Sequence, residues 1–239
     1  MLFGTDGIRG EVTDTPSSGE EAISLLIDDR KISARLMQLV GEALSRTVAV
    51  GSRIIIGWDD RPRNSELVAA LTVGLHLGGC KVIHGGICAT PGLHNALLET
   101  KSRLGCMITA SHNPVSDSGI KIFNSDGFKT YPQQELEISE LVTQLAAEDR
   151  EVDRTDRSIL EKPDVIFDAD AAHQNLLMIR QSEFCELFAS PTQRKLLIDS
   201  SKGVASNWLA SMLAKFGIDA IEVSGEAKAM NENCGAGEF

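Results

Sequence analysis

The chain has 239 residues, of which 42% are hydrophobic and 24% are charged. This composition is typical of a globular protein with a sizeable core and excludes general disorder. The formal net charge of -11 argues against nucleic acid or an anionic membrane as a partner, because both need a basic surface. No window approaches the roughly eighteen apolar residues of a membrane span, and the first residues do not resemble a signal peptide, so we expect a cytoplasmic protein.

The five cysteines are odd in number and scattered, and they contain no CxxC pair; they are Cys80, Cys88, Cys106, Cys185 and Cys234. They predict neither a disulfide framework nor a zinc site. Because free cysteine is usually buried, the expected state is a set of reduced core thiols.

Predicted strands and helices alternate in the first part of the chain. After a polar stretch at residues 14–20, apolar residues from Ile32 to Leu44 recur at spacings of three and four, which predicts an amphipathic helix. Ser65 is the expected N-cap of a second helix, and Pro91 opens a third. The predicted buried strands cover residues 53–57, 80–84 and 104–108. Strands separated by helices in this way predict parallel βαβ units.

The chain becomes highly charged at residues 148–162, which predicts a linker between two domains or the solvated end of a helix. The second unit has predicted elements at residues 168–186 (helix), 195–199 (strand), 204–216 (helix) and 218–223 (strand). We therefore expect an α/β protein with two domains, residues 1–147 and 163–239, each a mixed, largely parallel sheet flanked by helices.

Polar residues cluster just after the third predicted strand. The segment TASHNP covers residues 109–114, and a Gly-Ile-Lys follows that ends at Lys121. Loops at the carboxyl ends of buried strands often carry the chemistry of α/β proteins. From the residue types alone, Ser111 and Asn113 either take part in chemistry or cap backbone groups of the loop. The surroundings lack the G-x-S-x-G turn of α/β-hydrolases, which argues against that class.

Two other turns combine glycine or proline with positive charge. FGTDGIRG, at residues 3–10, contains Arg9, and GWDDRPRNS, at residues 57–65, contains Arg61. Each turn suits a tight loop that places an arginine against an oxyanion. Each is also compatible with a solvated arginine on the surface.

Taken in order, these segments resemble the first domain of the α-D-phosphohexomutases. The matching positions are TDGIRG (5–10), Gly57, Asp59 and Arg61, ATP (89–91), and TASHNP followed by GIK. The resemblance covers essentially residues 1–145 and continues into a second domain through Asp199, Gly203 and NENCG (231–235). FGTDGIRG and NENCG favour the phosphoglucosamine mutase branch, whereas TASHNP is also at home in the phosphomannomutase and phosphoglucomutase branches.

The resemblance implies a role for each site residue. Ser111 matches the phosphoserine, which exchanges its phosphoryl group with a hexose phosphate through a hexose 1,6-bisphosphate. Phosphoryl transfer requires positioning and neutralisation of the phosphate oxygens, and Arg9 and Lys121 match the cations beside the serine. Lys121 also fits the proton carrier, with His112 as the second choice. The residues matched to substrate and phosphate positioning are Asn113, Arg61, Thr5 and Asp6.

The resemblance also implies a magnesium ion, held by the phosphate on Ser111 and by three aspartates of a DGDxDR-type loop. The sequence contains no such loop. FDAD, at residues 167–170, lacks the glycines and the arginine, and it precedes a predicted helix, so we interpret it as an N-terminal acid pair. We therefore expect about half of a phosphohexomutase, with an incomplete second domain.

The predicted reaction moves a phosphoryl group between the 6- and 1-positions of a hexose phosphate, with glucosamine phosphate favoured over mannose and glucose phosphates. In one hypothesis the chain is part of a mutase and supplies its nucleophile and one wall of its cleft, while the C-terminal half of the enzyme is absent from this sequence. In the other it is an inactive module that binds a phosphosugar or a partner protein, such as a separate C-terminal half. Because the aspartate ligands are missing, we expect negligible mutase turnover from these residues alone.

Overall fold

The computed structural model describes residues 2–148, 158–183 and 195–234. Its main feature is a seven-stranded sheet in the order β2-β1-β6-β5-β3-β4-β7. The strands are β1 (Ile8–Val12), β2 (Lys31–Ile32), β3 (Arg53–Trp58), β4 (Lys81–Ile87), β5 (Leu104–Ile108), β6 (Asp117–Asn124) and β7 (Val165–Ile166). Only β6 runs antiparallel to its neighbours, β1 and β5, among these described strands. The expectation of an α/β protein with a mixed, largely parallel sheet is confirmed.

Helices cover both faces of this sheet. They are α1 (Gly19–Asp29), α2 (Ala34–Arg46), α3 (Asn64–Leu77), α4 (Thr90–Glu99), α5 (Pro132–Ala146) and α6 (Ala169–Glu183). A second, two-stranded parallel sheet is formed by β8 (Leu196–Ile198) and β9 (Ala220–Glu222), with α7 (Leu209–Lys215) between them in the chain. Short 3-10 helices lie at Ser158–Glu161 and Val204–Asn207.

The main sheet has a core on each side because alternate residues of β3 point to opposite faces. Ile54 and Ile56 are fully buried in the larger hydrophobic cluster, together with Leu71 of α3. Ile55 is fully buried in the second cluster, together with Leu93 of α4. The central strand is therefore apolar without interruption, as a strand covered on both faces requires.

Several sequence predictions are refined by the structure. The three predicted strands of the first part are β3, β4 and β5, and the strands at residues 195–199 and 218–223 are β8 and β9. The predicted helix at residues 204–216 is divided into a 3-10 helix and α7. The predicted helix at residues 168–186 is α6, with residues 184–186 outside the described ranges. Asp168 caps α6, because its Oδ1 accepts a hydrogen bond from the backbone N–H of Ala171, as the sequence predicted.

Other features were wrong or missed. Ser65 is not an N-cap: α3 already begins at Asn64, and the capping position is Arg63, whose side chain makes no capping hydrogen bond. Helix α1 begins inside the stretch that looked polar, with Ser18 as its N-cap. Only three of its residues are buried, so its apolar stripe is weak in the sequence.

The predicted linker lies largely outside the described residues, since residues 149–157 are not among them. After it, β7 pairs with β4 of the main sheet, and α6 packs against α4. The first elements of the predicted second domain therefore extend the main sheet, and the domain boundary stays a prediction. Within the described residues, no helix is long and apolar enough to cross a membrane.

The cysteines in the described ranges form no disulfide with one another; Cys80, Cys88 and Cys106 are buried, and Cys234 is partly buried. Burial raises the pKa of the Cys106 thiol to about 12, so this thiol stays protonated and unreactive at neutral pH. Cys185 lies outside the described residues.

Helices α2 and α3 pack closely through glycine. A Cβ atom on Gly74 would lie 2.1 Å from the carbonyl oxygen of Gln38, and one on Gly41 would lie 2.5 Å from the carbonyl oxygen of Leu71. Because the clashing atoms belong to helix backbones, a side-chain movement cannot relieve the contact.

We predict that Gly74→Ala lowers the free energy of unfolding by about 2 kcal/mol, although alanine is the better helix former. Gly225→Ala is the control, because nothing lies within 4 Å of its added methyl group. Urea unfolding of the two variants measures the difference, and equal stabilities would contradict the close packing of α2 and α3.

Candidate active site

The segment TASHNP forms the connection between β5 and β6. Ser111 lies in it with a φ of 56°, in the left-handed region that non-glycine residues seldom occupy. Its backbone N–H donates to Thr109 Oγ1 at 2.9 Å, and the N–H of Asn113 donates to the carbonyl of Ala110 at 3.1 Å. Such a conformation persists only where the surroundings hold it, and it is frequent at functional sites.

The side chain of Arg61 binds the backbone of this loop and is only 1% exposed. Its Nη2 donates to the carbonyl oxygens of Ser111 at 2.8 Å and Asn113 at 3.0 Å. Its Nη1 donates to the carbonyl oxygens of Pro114 and Asp117. These donors hold the backbone of the loop, and the role of Arg61 in positioning phosphate stays a prediction.

A buried polar network fixes Arg61 itself. Asp59 Oδ2 accepts hydrogen bonds from Arg61 Nε at 3.2 Å and from Thr109 Oγ1 at 2.6 Å, while its Oδ1 accepts from Asn64 Nδ2 at 2.7 Å. Asn64 Oδ1 in turn accepts from Ser118 Oγ at 2.6 Å. The charges are paired and the polar atoms are satisfied, which is the condition under which such a network makes a loop rigid.

We predict that Arg61→Lys lowers the free energy of unfolding by about 3 kcal/mol, because an ammonium group cannot replace the planar guanidinium that reaches four carbonyl oxygens. Amide hydrogen exchange at residues 111–117 should also become faster. Arg103→Lys is the matched control, since the side chain of Arg103 is exposed and donates a long hydrogen bond to Ser125 Oγ at 3.3 Å. An unchanged exchange rate in the loop would contradict the supporting role of Arg61.

Three cations gather on the other side of Ser111. Lys121 Nζ donates to Ser111 Oγ at 2.9 Å, although the lysine side chain is only 10% exposed. Lys121 also lies 3.1 Å from Asp6 Oδ2, an oxygen that Arg9 contacts as well. The third cation, Lys129, binds Asp6 Oδ1. Arg9, Lys121 and Lys129 therefore share one carboxylate next to the serine hydroxyl.

This carboxylate is ionised at neutral pH. Burial alone would raise the pKa of Asp6, but hydrogen bonds from Lys129 and Lys121, together with their charges, lower it below its usual value. Arg9 Nη1 donates to the carbonyl oxygen of Ala110 at 3.4 Å. Its Nε is buried without a partner among the described residues, and a buried donor of this kind requires an explanation.

The remaining predicted residues lie around this centre. His112 is exposed and lines a cleft of about 250 Å³ together with Ser111. Thr5 is exposed and lines a neighbouring groove of about 500 Å³ with Arg9 and Asn113. Asn113 Nδ2 donates to Asp117 Oδ2 at 2.9 Å, so its side chain also stabilises the loop.

Asn231, which is distant from Ser111 in the sequence, contacts the loop that carries Ser111. Asn231 Nδ2 donates to the carbonyl oxygens of Ser111 at 2.8 Å and Asn113 at 3.0 Å, and the residue has a φ of 60°. Ser201 and Gly203, which follow β8, line the same cleft. Sequence reasoning used residues 231–235 only for the family resemblance and gave Asn231 no role. It also missed Lys129, Thr109 and Asn64, whose contacts with the site are long-range or buried.

We predict that Asn231→Gly increases amide exchange in the loop by about fivefold, because two hydrogen bonds to its carbonyl oxygens are lost while the left-handed backbone stays accessible. Asn233→Gly is the control, since Asn233 has a similar φ of 50°. Hydrogen exchange followed by mass spectrometry gives the rates. Equal protection of the loop in both variants would contradict the bridging role of Asn231.

The described residues do not supply the carboxylate ligands that magnesium requires. No group of three or more histidine, cysteine, aspartate or glutamate residues among them could hold a metal ion. Asp6 and Asp59, the carboxylates nearest to Ser111 in this network, already have other partners, because Asp6 binds three cations and Asp59 binds Arg61, Thr109 and Asn64. The predicted magnesium ligand at Ser111 therefore stays a prediction from resemblance.

Comparison with known proteins gives the family. Residues 1–149 match the family described as phosphoglucomutase/phosphomannomutase, alpha/beta/alpha domain I. The chain belongs to this family. It is 32% identical to a phosphoglucosamine mutase of Roseobacter denitrificans over 98% of this chain and 48% of that protein, and 39% identical to one of Streptococcus equi over 59% and 28%. The chain thus spans about half the length of the curated relatives that it matches across its whole extent.

Solved structures agree with the fold of this chain. A putative phosphomannomutase from Thermus thermophilus superposes with a TM-score of 0.68 at 22% identity, over 92% of this chain and 45% of that one. A phosphoglucomutase from Paramecium gives a TM-score of 0.59 at 16% identity. The family match and the curated relatives named phosphoglucosamine mutase confirm the sequence resemblance to phosphohexomutases, whereas the roles of individual site residues stay predictions.

Proposed function

We propose that Ser111 carries and transfers the phosphoryl group in a phosphohexomutase reaction, and that the sugar is a hexose phosphate, with glucosamine phosphate favoured. The observation that carries this proposal is the 2.9 Å hydrogen bond from Lys121 Nζ to Ser111 Oγ inside a cluster of three cations. The names of the relatives support the choice of sugar, because both phosphoglucosamine mutases described above match this chain at more than 30% identity.

The site suits a phosphoryl group on Ser111. Catalysis of phosphoryl transfer depends on positioning and on neutralising the charge of the phosphate oxygens. Arg9 has a buried Nε–H that finds no partner in the described part of the chain, and a phosphate oxygen would satisfy it. The supported left-handed conformation of Ser111 directs Oγ towards Lys121, so the nucleophile needs no rearrangement.

In the proposed transfer, a sugar hydroxyl attacks the phosphorus of phosphoserine. A new sugar O–P bond forms, the bond from Ser111 Oγ to phosphorus breaks, and the electron pair of that bond remains on Oγ. Lys121 gives Oγ a proton and recovers one from the sugar hydroxyl, so the protons balance. The reverse transfer from the bisphosphate restores phosphoserine. His112 is the second choice for the proton carrier at the open side of the cleft.

A second candidate function is binding of a phosphosugar without turnover. It is favoured by the donor set of the described residues, in which Asp6 and Asp59 are already paired and no three-carboxylate site is available. Under both functions we expect negligible conversion of glucosamine 6-phosphate to the 1-phosphate by residues 1–239 alone. Pairing with a separate C-terminal half that brings the missing ligands stays a prediction.

The decisive experiment is an intact-mass measurement of the chain before and after incubation with glucose 1,6-bisphosphate and Mg²⁺. We predict one phosphate per chain, mapped to Ser111 and absent from Ser111→Ala. Lys121→Gln should slow its acquisition by about 100-fold, because the hydrogen bond to Oγ and one positive charge are lost. If no phosphate is found on the purified or the incubated protein, the binding function replaces the transfer function.

A further inference from the structure

The side chain of Lys129 contacts Asp6, a residue far away in the sequence. It lies in the connection between β6 and α5, where the backbone of Lys129 bridges to Phe123. Its side chain is 55% exposed, yet its Nζ binds Asp6 Oδ1 on a turn 123 residues earlier in the chain. A long, exposed lysine side chain loses conformational entropy when it is held in one position. An ion pair that is formed at the site despite this cost therefore indicates a functional role for Lys129.

The charges around Asp6 indicate what role the ion pair between Lys129 and Asp6 has. The cluster of Arg9, Lys121, Lys129 and Asp6 contains three cations and one carboxylate, which leaves a net charge of +2. A phosphate monoester on Ser111 would add a charge of about -1.5 to -2 at neutral pH. With all four residues present, the net charge of the cluster therefore balances the charge of a phosphoryl group almost completely.

Asp6 by itself would compete with that group. Its Oδ2 accepts from Arg9 and from Lys121, the two cations that are proposed to neutralise a phosphate on Ser111. Lys121 Nζ lies at almost equal distances from Asp6 Oδ2 (3.1 Å) and Ser111 Oγ (2.9 Å). Two anions that share the same cations weaken each other's binding, unless a further cation compensates one of them. Lys129 is placed to compensate Asp6 through its other oxygen, Oδ1.

We propose that Lys129 is a positioning residue, which binds Asp6 and so leaves Arg9 and Lys121 available to a phosphoryl group on Ser111. The inference rests on the proposed function only in assigning the phosphate to Ser111. It goes beyond that function because it gives Lys129 a role through Asp6 rather than through contact with substrate. The local charge balance, rather than any one contact, then determines how strongly the phosphate is held.

The test measures the coupling between the phosphate and Lys129 directly. Phosphoserine is incorporated at position 111 during translation, and the melting temperature of each variant is measured with and without the phosphate in a buffer containing EDTA. The variants are wild type, K129Q, K129R, the double variant D6N/K129Q, and K215Q as an exposed charge control in α7. Because the phosphate is installed in advance, the result does not depend on whether the chain accepts a phosphoryl group from a bisphosphate.

We expect K129Q to reduce the gain in melting temperature on phosphorylation by about 2 °C relative to wild type, while K129R and K215Q keep the full gain. The double variant D6N/K129Q should recover the wild-type gain, because removing both the carboxylate and the lysine restores a net charge of +2. A gain in D6N/K129Q as low as in K129Q would overturn the proposal, since Lys129 would then act on the phosphate itself. Equal gains in K129Q and K215Q would overturn it as well.

Discussion

The site depends on one buried guanidinium. Arg61 follows the end of β3, and its guanidinium lies under the connection between β5 and β6. There it donates hydrogen bonds to four backbone carbonyl oxygens. A planar group with five N–H donors can satisfy several carbonyl oxygens from one position, which a point charge cannot do. Asp59 neutralises this arginine, so that its burial leaves no unpaired charge. These contacts stabilise the loop conformation in which Ser111 has a positive φ and its Oγ accepts a hydrogen bond from Lys121 Nζ.

The antiparallel strand β6 gathers the cations around that serine. Because β5 and β6 are consecutive and antiparallel, the loop that carries Ser111 leads directly into the strand that carries Lys121. On the other side of β6 lies β1, also antiparallel, so the turn before β1 lies beside the later part of β6. Asp6 on that turn therefore meets Lys121 and, beyond the strand, Lys129. A purely parallel sheet would place these segments at opposite edges.

The local charge at the site differs in sign from the net charge of the whole chain. The chain has a formal net charge of -11, yet three cations surround one carboxylate at the serine. A local group of cations can attract an anion even though the chain as a whole is acidic, because the field close to the group is set by its own charges. The cleft beside Ser111 is bounded also by Asn231 and by the loop after β8.

The sequence by itself determined the elements with strong periodicity, the α/β class and the membership of the family, because buried strands and the TASHNP and TDGIRG segments are local patterns. It also indicated Ser111, Lys121, Arg9 and Asp6, which the structure brings together. The tertiary structure decided what local patterns do not encode: the support of the loop by Arg61, the contact of Lys129 with Asp6, and the bridge from Asn231 to the loop. These contacts join residues 50 to 123 positions apart, so they follow from strand order and burial. Neighbours in the chain carry no information about such partners.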